Sequence, residues 1–124
     1  MVILDSNIWI AFFNRKDSQH TKARKIFFTI QELVILPEYI ILEVCSILTL
    51  RASKKIAEAF LEIAIYNKNV KIVLSDDSLF KNTLKLFVQY KGNKLSFVDL
   101  ALVYMSKTDK IVTFDKNLKK VINH

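Results

Sequence analysis

The apolar residues of this chain fall into two rhythms. Four short, near-continuous runs, at residues 2–4, 33–36, 70–74 and 111–114, predict strands. They do not alternate with polar residues, which is the pattern of strands covered on both faces. Between them the spacing shifts to three and four. Residues 18–31 carry Ala23, Ile26, Phe27 and Ile30 on one helical face, and residues 53–66 carry Ile56, Ala59, Phe60, Ile63 and Ala64. Residues 38–50 are apolar on nearly every side. Shorter or less regular patterns predict helices at 8–13, 76–89 (Leu79, Thr83, Leu86, Val88), 96–105 and 116–122.

Strands alternating with helices predict an α/β fold with a short parallel sheet and helices on both faces. The only strong breakers are Gly92 and Pro37, and no repeat or flexible linker interrupts the pattern, so residues 1–124 read as one domain. Ligands of such sheets bind at the carboxyl ends of the strands, which is where chemistry is sought.

Composition narrows the partners. Nineteen Lys and Arg against twelve Asp and Glu give a net charge of +7, which favours a polyanion such as RNA or DNA. The N-terminus lacks the basic region and cleavage site of a signal peptide, and no apolar stretch approaches the ~18 residues of a membrane span. A cytoplasmic location is expected. The one cysteine, Cys45, lies in an apolar run and reads as a buried core thiol.

Most of the acids have ordinary explanations. Asp76 and Asp77 follow Ser75 at a helix start, where negative charge suits the dipole. Glu58 and Glu62 lie on a polar helix face. Four others interrupt apolar sequence: Asp5 after residues 2–4, Glu43 within 40–44, Asp99 within 97–102, and Asp115 after 111–114. Such carboxylates are costly near a core unless paired, hydrogen-bonded or metal-bound. Asp5 and Asp115 also suit the role of helix caps. Asp99, three residues after Ser96, completes a capping box, and Glu43 could pair with a lysine. All four, however, can meet at one rim of a parallel sheet, where a divalent cation would remove their mutual repulsion. All-oxygen ligands suit Mg²⁺ or Mn²⁺. Zinc ligation and nucleophilic triads are disfavoured, because His20 and His124 stand apart from Cys45 and from any Ser partner. A single glycine excludes a phosphate-binding glycine loop.

Residues 4–7 (Leu-Asp-Ser-Asn), Glu43, residues 95–101 (Leu-Ser-Phe-Val-Asp-Leu-Ala) and residues 113–118 (Thr-Phe-Asp-Lys-Asn-Leu) together resemble the PIN-domain nucleases, in order and across nearly the whole chain. The resemblance implies a three-layer α/β/α Rossmann-like fold with Asp5, Glu43, Asp99 and Asp115 as catalytic metal ligands for Mg²⁺ or Mn²⁺. It implies supporting roles for Ser6 and Asn7. The small size looks like the toxin of a VapBC-type toxin–antitoxin pair: an endoribonuclease, usually homodimeric, blocked by a cognate antitoxin. Cleavage by an activated water would leave a 5′-phosphate and a 3′-hydroxyl. A fifth strand found in many members is expected to be missing or very short.

Substrate RNA would be guided by Arg15, Lys16, Lys94 and Lys116 near the rim. Apolar helix surface near Phe12 and at residues 40–48 is expected to serve a homodimer. Trp9, Phe12 and Phe13 are expected to pack in the core or at that dimer contact. The rivals are a PIN-type nuclease of RNA processing or DNA metabolism with no toxin role, and a non-catalytic nucleic-acid-binding module. An aspartyl phosphatase is disfavoured, because Asn7 stands where a second Asp is needed.

Overall fold

The computed structural model describes residues 1–92 and 94–122. His124 lies outside the described residues. Eleven elements follow in order: β1 (Val2–Leu4), α1 (Ser6–Phe13), α2 (His20–Thr29), β2 (Val34–Pro37), α3 (Glu38–Arg51), α4 (Lys54–Tyr66), β3 (Val70–Val73), α5 (Asp77–Gln89), α6 (Phe97–Met105), β4 (Lys110–Val112) and α7 (Lys116–Ile122). The strands form one sheet in the order β3-β2-β1-β4, and every pairing is parallel. Among the described residues there is no fifth strand.

Because all strands run the same way, their carboxyl ends share one rim. Asp5 follows β1 there, Glu38 follows β2, Ser75 follows β3, and Thr113 follows β4. The Glu38 carboxylate accepts 2.9 Å bonds from both the backbone N–H and the hydroxyl of Ser75, tying two junctions of the rim together. Those bonds hold its carboxyl below the usual range.

The inner strands bury Ile3, Leu4 and Leu36 completely, and Ile40, Val44 and Leu48 of α3 pack on them. Trp9 is also fully buried. It meets Phe27 and Phe60 edge-on, with centroids 4.9 and 5.3 Å apart, a geometry favoured by the aromatic quadrupole. Its place in the core was expected. Polar caps fix the helix starts: Ser53 for α4 and Asp76 for α5 each accept a bond from the first turn, as their residue types favour.

Two sequence expectations need correction, and a third is extended. The edge strand β3 is not covered on both faces, since Lys71 and Ile72 are exposed. Cys45 is half-buried rather than sealed in the core, although burial still pushes its thiol up. The apolar excess is divided: within residues 40–48 Ile40, Val44 and Leu48 fill the core while Leu42 is exposed, and α5 exposes Phe80, Leu84, Phe87 and Val88 as well. That helix buries Leu79 and Thr83 on its inner side, so apolar residues occupy both faces, and Val88, expected on the inner stripe, lies on the exposed one.

Candidate active site

Asp5 is the one acid of the rim that is buried, at 4% exposure. Its backbone N–H still belongs to the sheet, donating to the Val112 carbonyl at 2.9 Å. Its side chain caps α1: Oδ1 accepts from the Ser6 N–H at 2.7 Å and from the Ser6 hydroxyl at 3.4 Å. Oδ2 accepts from the Thr113 hydroxyl at 2.7 Å and from Asn7 Nδ2 at 3.4 Å. Burial pushes the Asp5 carboxyl up to about 6, against the lowering effect of the Thr113 and Ser6 bonds. The charges of Asp99 and Glu43 raise it further. Those two acids therefore stand near enough to act on Asp5 through space.

Asp99 occupies the first turn of α6 and forms the capping box foreseen in the sequence. The Ser96 hydroxyl accepts from the Asp99 N–H at 3.2 Å, and Asp99 Oδ2 accepts from the Ser96 N–H at 2.9 Å. Asp115 also caps: its Oδ1 accepts from the N–H groups of Asn117 and Leu118 at 2.8 and 3.3 Å. Each of these carboxylates keeps an oxygen outside its capping bonds. Glu43 differs. It is half-buried on α3 and, among the described residues, makes no hydrogen bond or ion pair. The lysine pair that would have explained it structurally is absent among the described residues. A half-buried carboxylate without a partner is the costly arrangement that a cation relieves.

The donor set fits Mg²⁺ or Mn²⁺ in chemistry, being all carboxylate oxygen. Among the described residues, however, no three acid, His or Cys side chains stand at metal-ligating spacing. Asp5, Glu43 and Asp99 share a field, and closing on an ion requires their side chains to draw together.

Thr113 was not assigned a role from the sequence. It is buried, and its one hydroxyl serves three partners. It donates to Asp5 Oδ2 and accepts from Asn7 Nδ2 at 3.1 Å and from the Asp115 N–H at 3.0 Å. Asn7 completes the link by accepting from the Phe114 N–H at 3.2 Å through Oδ1. These bonds turn the chain out of the sheet, so β4 ends at Val112 rather than at residue 114. Its only sequence signal was a hydroxyl residue two positions before Asp115. Ser6 and Asn7 both touch Asp5 as expected.

The basic residues separate. Lys116 opens α7 beside Asp115, and Lys94 is exposed shortly before the Ser96 cap. Arg15 and Lys16 do not flank the rim. The eight residues of α1 carry the chain roughly 12 Å away from Asp5, and both side chains are exposed beyond its far end. No helix among the described residues is long and apolar enough to cross a membrane.

A family model described as PIN domain matches residues 2–123. No curated protein matches the chain by sequence. Among solved structures, the chain is similar to Mycobacterium tuberculosis VapC20, described as a sarcin-ricin loop cleaving toxin. The two share 19% identity over 97% of this chain and 94% of the other, with a TM-score of 0.87. It is also similar to a chain of VapBC2 from Rickettsia felis, solved bound to a DNA fragment from its promoter. There the identity is 14% over 98% of this chain and 93% of the other, with a TM-score of 0.67.

Proposed function

The chain belongs to the PIN domain family, a family of nucleases, and on that premise we propose that it is a divalent-metal-dependent endoribonuclease serving as the toxin of a toxin–antitoxin pair. The observation that carries the catalytic reading is the buried Asp5 carboxylate, held at the strand rim by Ser6, Asn7 and Thr113 and pushed up by burial and, to a smaller extent, by the charges of Asp99 and Glu43. A cation relieves both the burial of that charge and its repulsion by the other acids. Asp5, Glu43 and Asp99 are the residues to hold the ion, with Asp115 at the edge of the same rim. When bound, Mg²⁺ or Mn²⁺ polarises the phosphoryl oxygens and lowers the pKa of water.

The chain's own residues do the rest. Ser6, Asn7 and Thr113 fix the direction of the Asp5 carboxylate. The Asn117 and Leu118 amides fix that of Asp115, whose backbone N–H donates to the Thr113 hydroxyl. Lys94 and Lys116, exposed near the rim, attract the phosphate backbone. Hydrolysis attaches a water oxygen to phosphorus and releases the 3′-hydroxyl, leaving a 5′-phosphate.

The toxin role is supported by the likeness to VapC20, a sarcin-ricin loop cleaving toxin, and by the likeness to a chain of VapBC2. A homodimer is supported by the apolar face of α5, where Phe80, Leu84, Phe87 and Val88 are all exposed. The test of the acid site is Glu43→Gln. Cleavage of single-stranded RNA should be lost while the melting temperature is kept. Retained cleavage would remove Glu43 from the site.

A further inference from the structure

Beyond the rim, the hairpin of α1 and α2 encloses an open groove of about 710 Å³ with the start of α4. Its walls include Phe12, Arg15, His20, Arg24 and Phe28, and among the described residues no carboxylate lines it. His20 is fixed there by a 2.7 Å bond between its Nδ1 and the Ala11 carbonyl. The Arg24 guanidinium lies 5.6 Å over the Phe28 ring, and that ring is 74% exposed. Among the described residues neither Arg15 nor Arg24 has an ion-pair partner, because the ion pairs are Met1 with Glu32 and Lys81 with Asp77.

We propose that this groove anchors single-stranded RNA at a distance from the cutting site. Arg15 and Arg24 bind the backbone phosphates, and Phe28 stacks a base. Phosphate contacts position a strand without reading its sequence, and single-stranded bases stack on aromatic and guanidinium planes. Two unpaired guanidinium groups in a groove without acids complement a polyanion. The groove begins where α1 ends, so one strand running along that helix reaches both sites. This inference rests on the ribonuclease reading and supplies its substrate with a second point of attachment.

Anisotropy of a labelled single-stranded RNA, titrated with protein in EDTA, tests the groove apart from cleavage. Arg15→Gln/Arg24→Gln should reduce the slope of log K against log salt by about 1.4, from roughly 0.7 per phosphate contact on single strands. Phe28→Ala should weaken binding about five- to tenfold, in the lower part of what one stacked base is worth. Lys85→Gln/Lys107→Gln, exposed on α5 and just after α6 and not among the residues that line the groove, changes the net charge equally and should leave the slope near wild type. An unchanged slope in the arginine variant overturns the proposal and leaves the groove to a protein partner. An equal effect in the lysine control also overturns it, reducing the attraction to net charge, as does a wild type that does not bind RNA. A wild type that binds through the groove but cuts with no metal overturns the nuclease reading alone.

Discussion

The Thr113 hydroxyl and the Asp5 carboxylate meet at 2.7 Å across 108 residues of sequence. The same oxygen of Thr113 accepts from Asn7 and from the Asp115 backbone, so one hydroxyl sets the spacing between two acids at opposite ends of the chain. Thr113→Val keeps the shape and removes all three bonds. It deprives the buried Asp5 oxygen and two part-buried donors of their partner, which costs about 1–3 kcal/mol. Thermal unfolding should show the lower stability, and the cleavage rate at saturating RNA should fall with it. Thr113→Ser should restore most of both.

The Asp5 carboxyl carries a sign that can be measured. Its value of about 6 in the folded protein lies above its ordinary value of 3.8. Between those values the folded state holds the proton more tightly than the unfolded chain. Its contribution to stability is therefore complete below about pH 4 and is lost as pH rises to about 6. The loss is about 3 kcal/mol at roughly 1.4 kcal/mol per unit. A divalent ion competes with that proton, so the rise in Tm on adding Mg²⁺ should be larger at about pH 7.5 than at about pH 5. Equal shifts at both would detach Asp5 from the metal.

The four acids should separate when stability and activity are measured together. Asp99→Asn disturbs the capping box and should lower stability by about 1 kcal/mol as well as activity. Asp115→Ala removes the α7 cap at a similar cost. Glu43→Gln removes no bond among the described residues and should lower activity alone. Circular-dichroism melts beside cleavage rates provide both readings.

The outer face of α5 makes a separate prediction. Phe87 is 48% exposed between the exposed Leu84 and Val88. Phe87→Glu should convert a dimer to a monomer in light scattering without lowering the Tm of the protomer. A wild type that is already monomeric would leave that face to another role.

Much of this was legible before the structure. The seven helices and four strands among the described residues appear where the apolar rhythm placed them, with ends shifted by up to two residues, because the spacing of three and four and the continuous runs follow burial. The capping box of Ser96 and Asp99 and the caps at Asp5 and Asp115 were legible from residue type and position, whereas Asp76, read as first-turn charge, is itself the cap of α5. Asp5 and Glu43 stood out because they interrupt apolar sequence. Thr113 did not, since a β-branched residue at a strand end looks like strand, and its value lies in partners 106 and 108 residues away. Arg15 and Lys16 were placed at the rim by sequence proximity to Asp5, which neglects the length of the helix between. The exposed face of α5 was hidden because Phe80, Leu84 and Phe87 fit a helical period as well as the inner residues do. Periodicity finds a stripe but does not tell which of two stripes meets the core.

Cleavage of labelled single-stranded RNA by the wild-type protein and by Asp5→Asn, each with Mg²⁺, Mn²⁺ or EDTA, tests the central claim most directly. Cleavage by the wild type with metal, none in EDTA and none by a folded Asp5→Asn variant is the predicted result. Cleavage by the variant at the wild-type rate, or by the wild type in EDTA, would contradict it.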